Sequence, residues 1–314
     1  MENRNVWIGV GVAAVAVILL LIWSPWSDDA ADETTTTTAS AVTTTTAAEE
    51  TTTSAAEETT TTAGATSTTE AEAALPDLGG RTVTVGVENA YLPFNFILAG
   101  ETEGQGWDYD AWRDICERLN CVPEFVEAAW PAVIDQVAQG EFDTAADGIS
   151  ITDERAEIVD YSIPYMVVQQ KFIKQLGDDR FNSADDVINS DAIVATQVGT
   201  TNFELAADLV GEDRIQAFDQ FGLAIQALIA GDVDVVIIDD AAGLGYIGEN
   251  ADQIETIDDP LQSDPLGFIY PQGSDLVEPV DLAIQAMIDD GTMEELGRTW
   301  FGPDFTVTYE DIEG

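Results

Sequence analysis

The sequence predicts an α/β fold with two lobes that face each other across a cleft. From Arg81 onward, short β-branched segments alternate with longer segments of helical periodicity, which is the pattern of α/β folds. The roughly 240 residues after Ala74 suffice either for one large domain or for two lobes with separate cores. An internal similarity between two segments of the chain favours two lobes.

The individual elements follow from this alternation. We expect strands at residues 81–87, 123–126, 142–146, 192–197 and 233–238. We expect helices at residues 107–119, 130–139, 202–210, 223–230, 276–289 and 293–300.

The internal similarity joins AVIDQVAQGEFDTAADG, which begins at Ala132, to AIQALIAGDVDVVIID, which begins at Ala224. In chain order, each segment is predicted to contain a helix, then a Gly, an acidic residue, an apolar residue and an Asp, and finally a buried strand. The alignment places Gly148 opposite Asp239, each just beyond the carboxyl end of its strand. Open α/β sheets bind ligands at that edge, so the two units predict a cleft there.

The first quarter of the chain differs from the rest. Residues 1–5 are predicted to be a short cytoplasmic N-terminus and residues 6–26, almost uninterruptedly apolar, a transmembrane signal anchor. A cleaved signal peptide is the alternative, although no small-x-small site follows the apolar run. Residues 27–76, rich in Thr, Ala and Glu, are predicted to be a disordered linker. The binding region is then extracytoplasmic on a single-pass membrane protein.

Composition excludes several classes of function. A formal net charge of −50 argues against binding to nucleic acid. The chain contains no His, which excludes Ser-His-Asp catalysis and the usual His-containing metal sites, and no metal or cofactor is predicted. In an oxidising compartment Cys116 and Cys121 could form a local disulfide, with two free thiols as the alternative.

Two charged residues are the first candidates for ligand contacts. In the segment GISITDER, Thr152 is a candidate N-cap of a helix, and the Arg155 guanidinium together with Ser150 suits a carboxylate. A surface salt bridge is the alternative role for Arg155. Asp239, at the end of an apolar strand, suits an ammonium group. The alternative is that Asp239 or its neighbour Asp240 caps the next helix.

Residues 81–302 resemble the family 3 extracellular solute-binding proteins, the amino-acid receptors of ABC importers. The motifs that carry the resemblance are VGVENAYLPFNF from Val85, GWDYDAWRDICERLN from Gly106, GEFDTAADGISITDERAEIVDYSIPY from Gly140, and AIQALIAGDVDVVIIDD from Ala224. The resemblance implies a type II periplasmic-binding-protein-like fold, with two mixed sheets flanked by helices. It also implies two crossing strands, near residues 168–174 and 261–267, that act as a hinge.

The resemblance also assigns roles to individual residues. Arg155, Thr201 and Ser150 match positions that hold the ligand α-carboxylate, and Asp239 and Gly148 match positions that hold the α-ammonium. Tyr91 and Trp130 match the aromatic walls around the ligand side chain, unless they are ordinary core residues. Glu88 and Gln197 match positions that border the side-chain pocket, and Asp147 adds a second carboxylate there. Two acids in that pocket favour a polar or basic amino acid, unless both are merely solvated.

The sequence therefore predicts a monomeric, non-enzymatic binding protein whose partners are a free amino acid, an ABC transporter permease and the membrane. The predicted first part of lobe one is residues 77–170, lobe two is residues 171–264, and residues 265–314 return to lobe one. A dehydratase of the arogenate and prephenate type on the same fold is one alternative. A ligand-sensing ectodomain is the other.

Overall fold

The structure, a computed structural model, describes residues 74–303 and residue 305. The predicted cytoplasmic segment 1–5, the anchor 6–26 and nearly all of the linker 27–76 lie outside the described residues. In the part of the chain that is described, no helix has the length and apolarity needed to cross a membrane.

The first lobe is built on a five-stranded mixed sheet. Its elements in this part of the chain are β1 (Arg81–Val87), β2 (Ala90–Tyr91), β3 (Asn95–Phe96), α1 (Trp107–Leu119), β4 (Cys121–Glu127), α2 (Ala132–Ala138), β5 (Thr144–Ala145), α3 (Asp153–Ala156) and β6 (Val159–Tyr161). β1 pairs in parallel with β4 and β5, and the small hairpin β2–β3 projects from its end. The parallel pairing brings the carboxyl ends of β1 and β5 to the same edge.

The helix α1 covers one face of this sheet. Its buried side includes Trp107, Trp112, Ile115 and Leu119, which recur with helical spacing. The helix ends at Asn120, which adopts the left-handed conformation that closes many helices. Cys116, in the last turn, is disulfide-bonded to Cys121 at the start of β4. The apolar face of the helix and the following strand therefore form one packed unit.

The second lobe is built on a six-stranded mixed sheet. Its elements are β7 (Met166–Gln175), α4 (Ala184–Ile188), β8 (Val194–Gln197), α5 (Thr201–Val210), β9 (Ile215–Phe218), α6 (Phe221–Ala230), β10 (Val235–Asp239), α7 (Asp240–Glu249), β11 (Ile254–Thr256) and β12 (Gln262–Leu266). The strand order is β11-β7-β10-β8-β9, and β12 pairs with β7. The end of β10 and the start of α5 therefore lie at one edge of this sheet.

The chain then returns to the first lobe. β13 (Ile269–Pro271) is inserted between β5 and β6 in the first sheet, and α8 (Val277–Asp289) and α9 (Thr292–Phe301) follow it. β7 and β12 are antiparallel neighbours at the two passages between lobes, where the sequence predicts crossing strands. The predicted α/β class with two mixed sheets is confirmed. The domain boundaries at 170/171 and 264/265 fall within β7 and β12 and stay predictions.

Several elements are shorter than the sequence predicts, α2 and β5 among them, and the helix after Thr152, for which the sequence predicts no length, is short as well. The helix α2 begins at Ala132 and not at residue 130, because Pro131 is its N-cap residue. The helix after Thr152 is a single turn of four residues. The strand predicted at residues 142–146 is reduced to Thr144–Ala145. Trp130 and Gly148 consequently lie in loops at the edge of the first sheet.

Candidate functional site

A cavity between the two lobes contains all ten residues that the sequence predicts for ligand binding. It holds about 310 Å³ of space between atoms, including the part that is open to solvent. Its lining residues from the first lobe are Glu88, Tyr91, Trp130, Asp147, Gly148, Ser150 and Arg155. Its lining residues from the second lobe are Gln197, Thr200, Thr201, Asn202, Phe221 and Asp239.

Arg155 lies at one end of the cavity, in the single turn α3. The Thr152 hydroxyl accepts a hydrogen bond from the Arg155 backbone amide at 3.2 Å and so begins the turn. The guanidinium donates from Nη1 to the Ser150 carbonyl at 3.0 Å, and its Cζ lies 5.3 Å from the centre of the Trp130 ring. Backbone and ring together hold the guanidinium at the cavity wall.

The charge environment of Arg155 is unusual for this chain. Most described Lys and Arg residues form ion pairs, namely Arg81, Arg113, Arg118, Lys171, Lys174, Arg180 and Arg298. Arg214 instead donates to three carbonyl oxygens. Within residues 74–303, Arg155 has no ion pair with an acid, although the chain carries 60 Asp and Glu residues. The surface salt bridge proposed as its alternative role is therefore absent from the described structure.

Asp239 lies on the second lobe, at the buried end of β10. One carboxylate oxygen accepts from the Tyr91 hydroxyl at 2.8 Å and the other from the Asn202 amide at 2.9 Å. Its side chain makes no cap bond to α7, so the capping role suggested by the sequence is wrong for this residue. Burial raises the pKa of Asp239 to about 6, and the hydrogen bonds from Asn202 and Tyr91 oppose that rise. The carboxylate is thus held in place by both lobes.

Hydroxyl groups and a helix N-terminus lie between these two charges. The Ser150 and Thr201 hydroxyl oxygens are 3.2 Å apart across the lobes. Thr200 caps α5 by accepting from the Phe203 amide at 3.1 Å, and it donates to the Gln197 carbonyl. The first amides of a helix have no partner within the helix and favour anions. The start of α5 therefore adds to the positive potential near Arg155.

Aromatic side chains form the walls of the cavity. The Tyr91 ring stacks on Phe94 of its own lobe at 5.2 Å between centroids and on Phe221 of the second lobe at 5.4 Å. Gly148 lies beneath this ring with φ 55°, and a Cβ there would be 2.8 Å from Tyr91 Cε1. Only glycine can therefore occupy position 148 without displacing the Tyr91 ring.

Glu88 and Asp147 form an acidic patch in the cavity lining. The Gln197 amide donates to Glu88 at 2.6 Å and also to the Asp219 carbonyl at 2.9 Å, which ties this acid to the second lobe. Burial raises the pKa of Glu88 to about 9, with a further contribution from Asp147. Burial likewise raises the pKa of Asp147 to about 7. Both acids are buried, so the alternative that they are merely solvated does not hold.

The cavity also includes three residues that the sequence analysis did not name: Thr200, Asn202 and Phe221. Thr200 and Asn202 flank the predicted Thr201, so a cap signal in the run Gly199-Thr200-Thr201-Asn202 could have identified them. Phe221 is the first residue of α6, and nothing in the sequence distinguishes it from an ordinary aromatic residue of the core. Its position across from Tyr91 follows only from the packing of the two lobes.

The chain is similar to proteins that bind amino acids. The L-cystine-binding protein TcyJ of Escherichia coli strain K12 is 26% identical over 229 residues, which cover 72% of this chain and 84% of that protein. Among solved structures, the arginine-, lysine-, histidine-binding protein ArtJ of Geobacillus stearothermophilus is 28% identical, with a TM-score of 0.68, covering 74% of this chain and 100% of that one.

An ancestral protein described as amino acid-binding and as a precursor of cyclohexadienyl dehydratase is similar as well. It is 30% identical, with a TM-score of 0.65, covering 70% of this chain and 95% of its own. The family model of the bacterial extracellular solute-binding proteins, family 3, matches residues 83–303, which include every residue of the cavity. The chain belongs to the family 3 bacterial extracellular solute-binding proteins.

Proposed function

We propose that the chain is the extracytoplasmic substrate-binding protein of an amino-acid ABC transporter, which captures a free amino acid between its lobes and delivers it to a permease. The observation that carries the proposal is the position of Arg155 and Asp239 in the lining of one cavity. A guanidinium without an acidic partner in the described structure and a buried carboxylate match the two charges of a zwitterion.

Each end of the ligand then has a defined set of partners. Arg155 holds the α-carboxylate from the first lobe, and Thr201 at the start of α5 approaches it from the second, with Ser150 between them. Asp239 accepts hydrogen bonds from the α-ammonium, helped by the backbone at Gly148. The ligand side chain runs between Tyr91 and Trp130 towards Glu88, Asp147 and Gln197. A polar or basic side chain fits this end best.

Capture follows from closure of the lobes. Only the closed state lets one ligand contact Arg155 and Asp239 together, so binding shifts the population towards that state. The described structure supports this because contacts already join the lobes, including Tyr91 to Asp239 and the Tyr246 hydroxyl to the Ala90 carbonyl at 2.9 Å. The closed shape is the form that a permease would recognise.

Residues 6–26 are proposed to anchor the protein in the cell membrane as a single pass, with residues 27–76 as the tether of a monomeric binding unit. The support is the apolar run itself, which is long enough for a bilayer and has Trp at both ends. The N-terminal sequence of the mature protein tests this. An N-terminus beyond residue 26 would exclude the anchor and favour a cleaved signal peptide.

A thermal-shift panel of the twenty common amino acids on the full chain tests the main proposal, because ligand binding stabilises the folded state. At least one amino acid is expected to raise the melting temperature, and Arg155→Ala is expected to abolish that shift. Arg298→Ala, which removes an exposed ion-paired arginine on α9, is the matched control and should leave the shift intact. If no amino acid stabilises the protein, or if Arg155→Ala preserves the shift, the proposal fails.

The dehydratase alternative has weaker support. The cavity contains carboxyls with raised pKa that could donate protons, and one similar structure is described as a dehydratase precursor. That structure is itself described as an amino acid-binding protein. Incubation of the full chain with arogenate and with prephenate distinguishes the two functions, because a binding protein leaves both substrates unchanged.

A further inference from the structure

The side-chain end of the cavity and the region behind it contain more carboxyl oxygens than side-chain N–H groups that donate hydrogen bonds to them. The Asn95 amide oxygen accepts from the Asn89 backbone amide at 2.6 Å, which orients the NH2 group of Asn95 towards two acids. It donates to Asp147 at 2.7 Å and to Asp108 at 2.9 Å. Glu88 completes what we call the acidic cluster, Glu88, Asp108 and Asp147, and receives its hydrogen bond from Gln197.

Two oxygens of this cluster have no donor. Asp147 Oδ2 and Asp108 Oδ1 are buried and unpaired in the described structure, because Asn95 supplies one hydrogen to each carboxyl. Asp147 is 4% exposed and lines the cavity, whereas Asp108 is fully buried behind it. An ionised carboxylate at such a position requires a cation or further donors. Asp147 lines the cavity and has an oxygen without a side-chain donor, so it can accept a hydrogen bond from a ligand.

The other groups around Glu88 and Asp147 do not supply positive charge. The titratable residues that face this pair, either beside it or in the adjoining cavity, are Tyr91, Glu127, Tyr165, Asp219, Asp239 and Tyr246. All are neutral or anionic. Arg155 is the one cation in the cavity lining, and it lies against Trp130 and the Ser150 carbonyl. Two buried acids in one cavity without an adjacent cation favour one net negative charge over two.

We propose that Glu88 and Asp147 share one proton in the empty cavity, and that the single negative charge left on the pair selects an amino acid whose side chain carries one positive charge. This inference rests on the proposed function and names its ligand class, the cationic amino acids. In acid the pair takes up a second proton, and capture of the cation must then release it. Asp108 does not line the cavity, so the inference assigns it no contact with the ligand.

The titration of the cluster agrees with this geometry. Burial raises the pKa of Glu88 to about 9 and that of Asp147 to about 7, so the pair carries one proton between those values. Burial also raises the pKa of Asp108 to about 8. A bound cation lowers the pKa of the pair. The affinity for a cationic ligand therefore falls as the pH decreases below about 7, where the pair takes up its second proton.

Titration calorimetry of the full chain with L-arginine and L-lysine tests the inference, with L-citrulline and L-glutamine as their neutral counterparts. For whichever cation binds more tightly, the affinity relative to its neutral counterpart should be about tenfold lower at about pH 6 than at about pH 8. The ratio of the affinity for the cation to the affinity for its neutral counterpart is decisive, because Asp239 titrates in the same range and affects all four ligands alike. Measurements in two buffers of different ionisation enthalpy should show that the cation releases about one more proton than its neutral counterpart at about pH 6, and close to no more at about pH 8.

The variant Asp147→Asn should remove both the additional proton release that accompanies the cation and the preference for the cation. Glu124→Gln, which removes an exposed acid of β4 that lines neither cavity, is the matched control and should change neither. The wild-type buffer comparison decides the question even if Asp147→Asn does not fold. Binding of a neutral amino acid in preference to both cations, or of a cation without pH dependence, overturns the inference and leaves the proposed function intact. Absence of binding by any amino acid overturns both.

Discussion

The two lobes contribute to the cavity in different ways. The first lobe supplies loop residues that follow strand ends, supported by an aromatic core in which Trp107 stacks on Tyr165 at 4.7 Å and Tyr165 packs on Phe268 at 4.5 Å. The second lobe has a mainly aliphatic core in its sheet and supplies helix N-termini and one strand end. The first lobe thus contributes a wall that packs on an aromatic core, and the second contributes polar groups opposite it.

The largest expected effect concerns the aromatic core of the first lobe. Trp107→Ala should lower the free energy of unfolding by about 3–5 kcal/mol, because the ring is fully buried and its neighbours cannot fill the space. Chemical denaturation measures this change. Leu282→Ala, at an exposed position of α8, is the control and should cost less than about 0.5 kcal/mol. Equal costs for the two variants would contradict the view that this core supports the wall.

The next largest effect concerns the charged contribution of the second lobe. Asp239→Asn keeps the shape of the side chain but removes the charge opposite the ligand ammonium, so binding should weaken by about 30-fold or more. Calorimetry with the amino acid found in the thermal-shift panel measures the loss. Asp232→Asn removes an exposed acid from the same lobe and should leave the affinity unchanged. A similar affinity in wild type and Asp239→Asn would mean that the second lobe does not contact the ammonium.

A smaller effect separates stability from binding within the second lobe. Thr200 caps α5 at the cavity, and Ser183 caps α4 at an exposed site with a full capping box. Replacing either by Ala should cost about 1 kcal/mol of stability, since each removes the bond to an unpaired helix amide. Thr200→Ala alone should also weaken ligand binding, by a few-fold. Equal binding by both variants would show that the start of α5 does not act on the ligand.

The smallest effect concerns the bonds between lobes. Tyr91→Phe removes the hydroxyl that joins the first lobe to Asp239. Tyr246→Phe removes the hydroxyl that donates to the Ala90 carbonyl, and Tyr246 does not line the cavity. Each hydrogen bond contributes about 1 kcal/mol, so each variant should bind about fivefold more weakly if closure is what the bonds support. If Tyr91→Phe alone weakens binding, its hydroxyl acts through Asp239 and not through closure.

Much of the fold could be predicted from the sequence because it depends on local periodicity. β1 and α1 have the bounds predicted for them, since an alternating β-branched run and a regular apolar stripe specify each element by itself. The ends of α2, α3 and β5 could not be predicted as well. Pro131 shifts the start of α2, and a helix of one turn has too little periodicity to reveal its length.

Sequence alone determined the α/β class, the resemblance to the family and the ten residues that were expected to gather at one site. Motif spacing carries that information because it reflects which strand ends meet. Only the tertiary structure decided that Arg155 lacks an acidic partner in the described structure, that Asp239 faces Tyr91 and not the helix after it, and that Asn95 supplies too few hydrogens for two buried acids. These are balances of charge and hydrogen bonding between segments distant in the chain, and the contact of Asp239 with Tyr91 also requires that the two lobes meet.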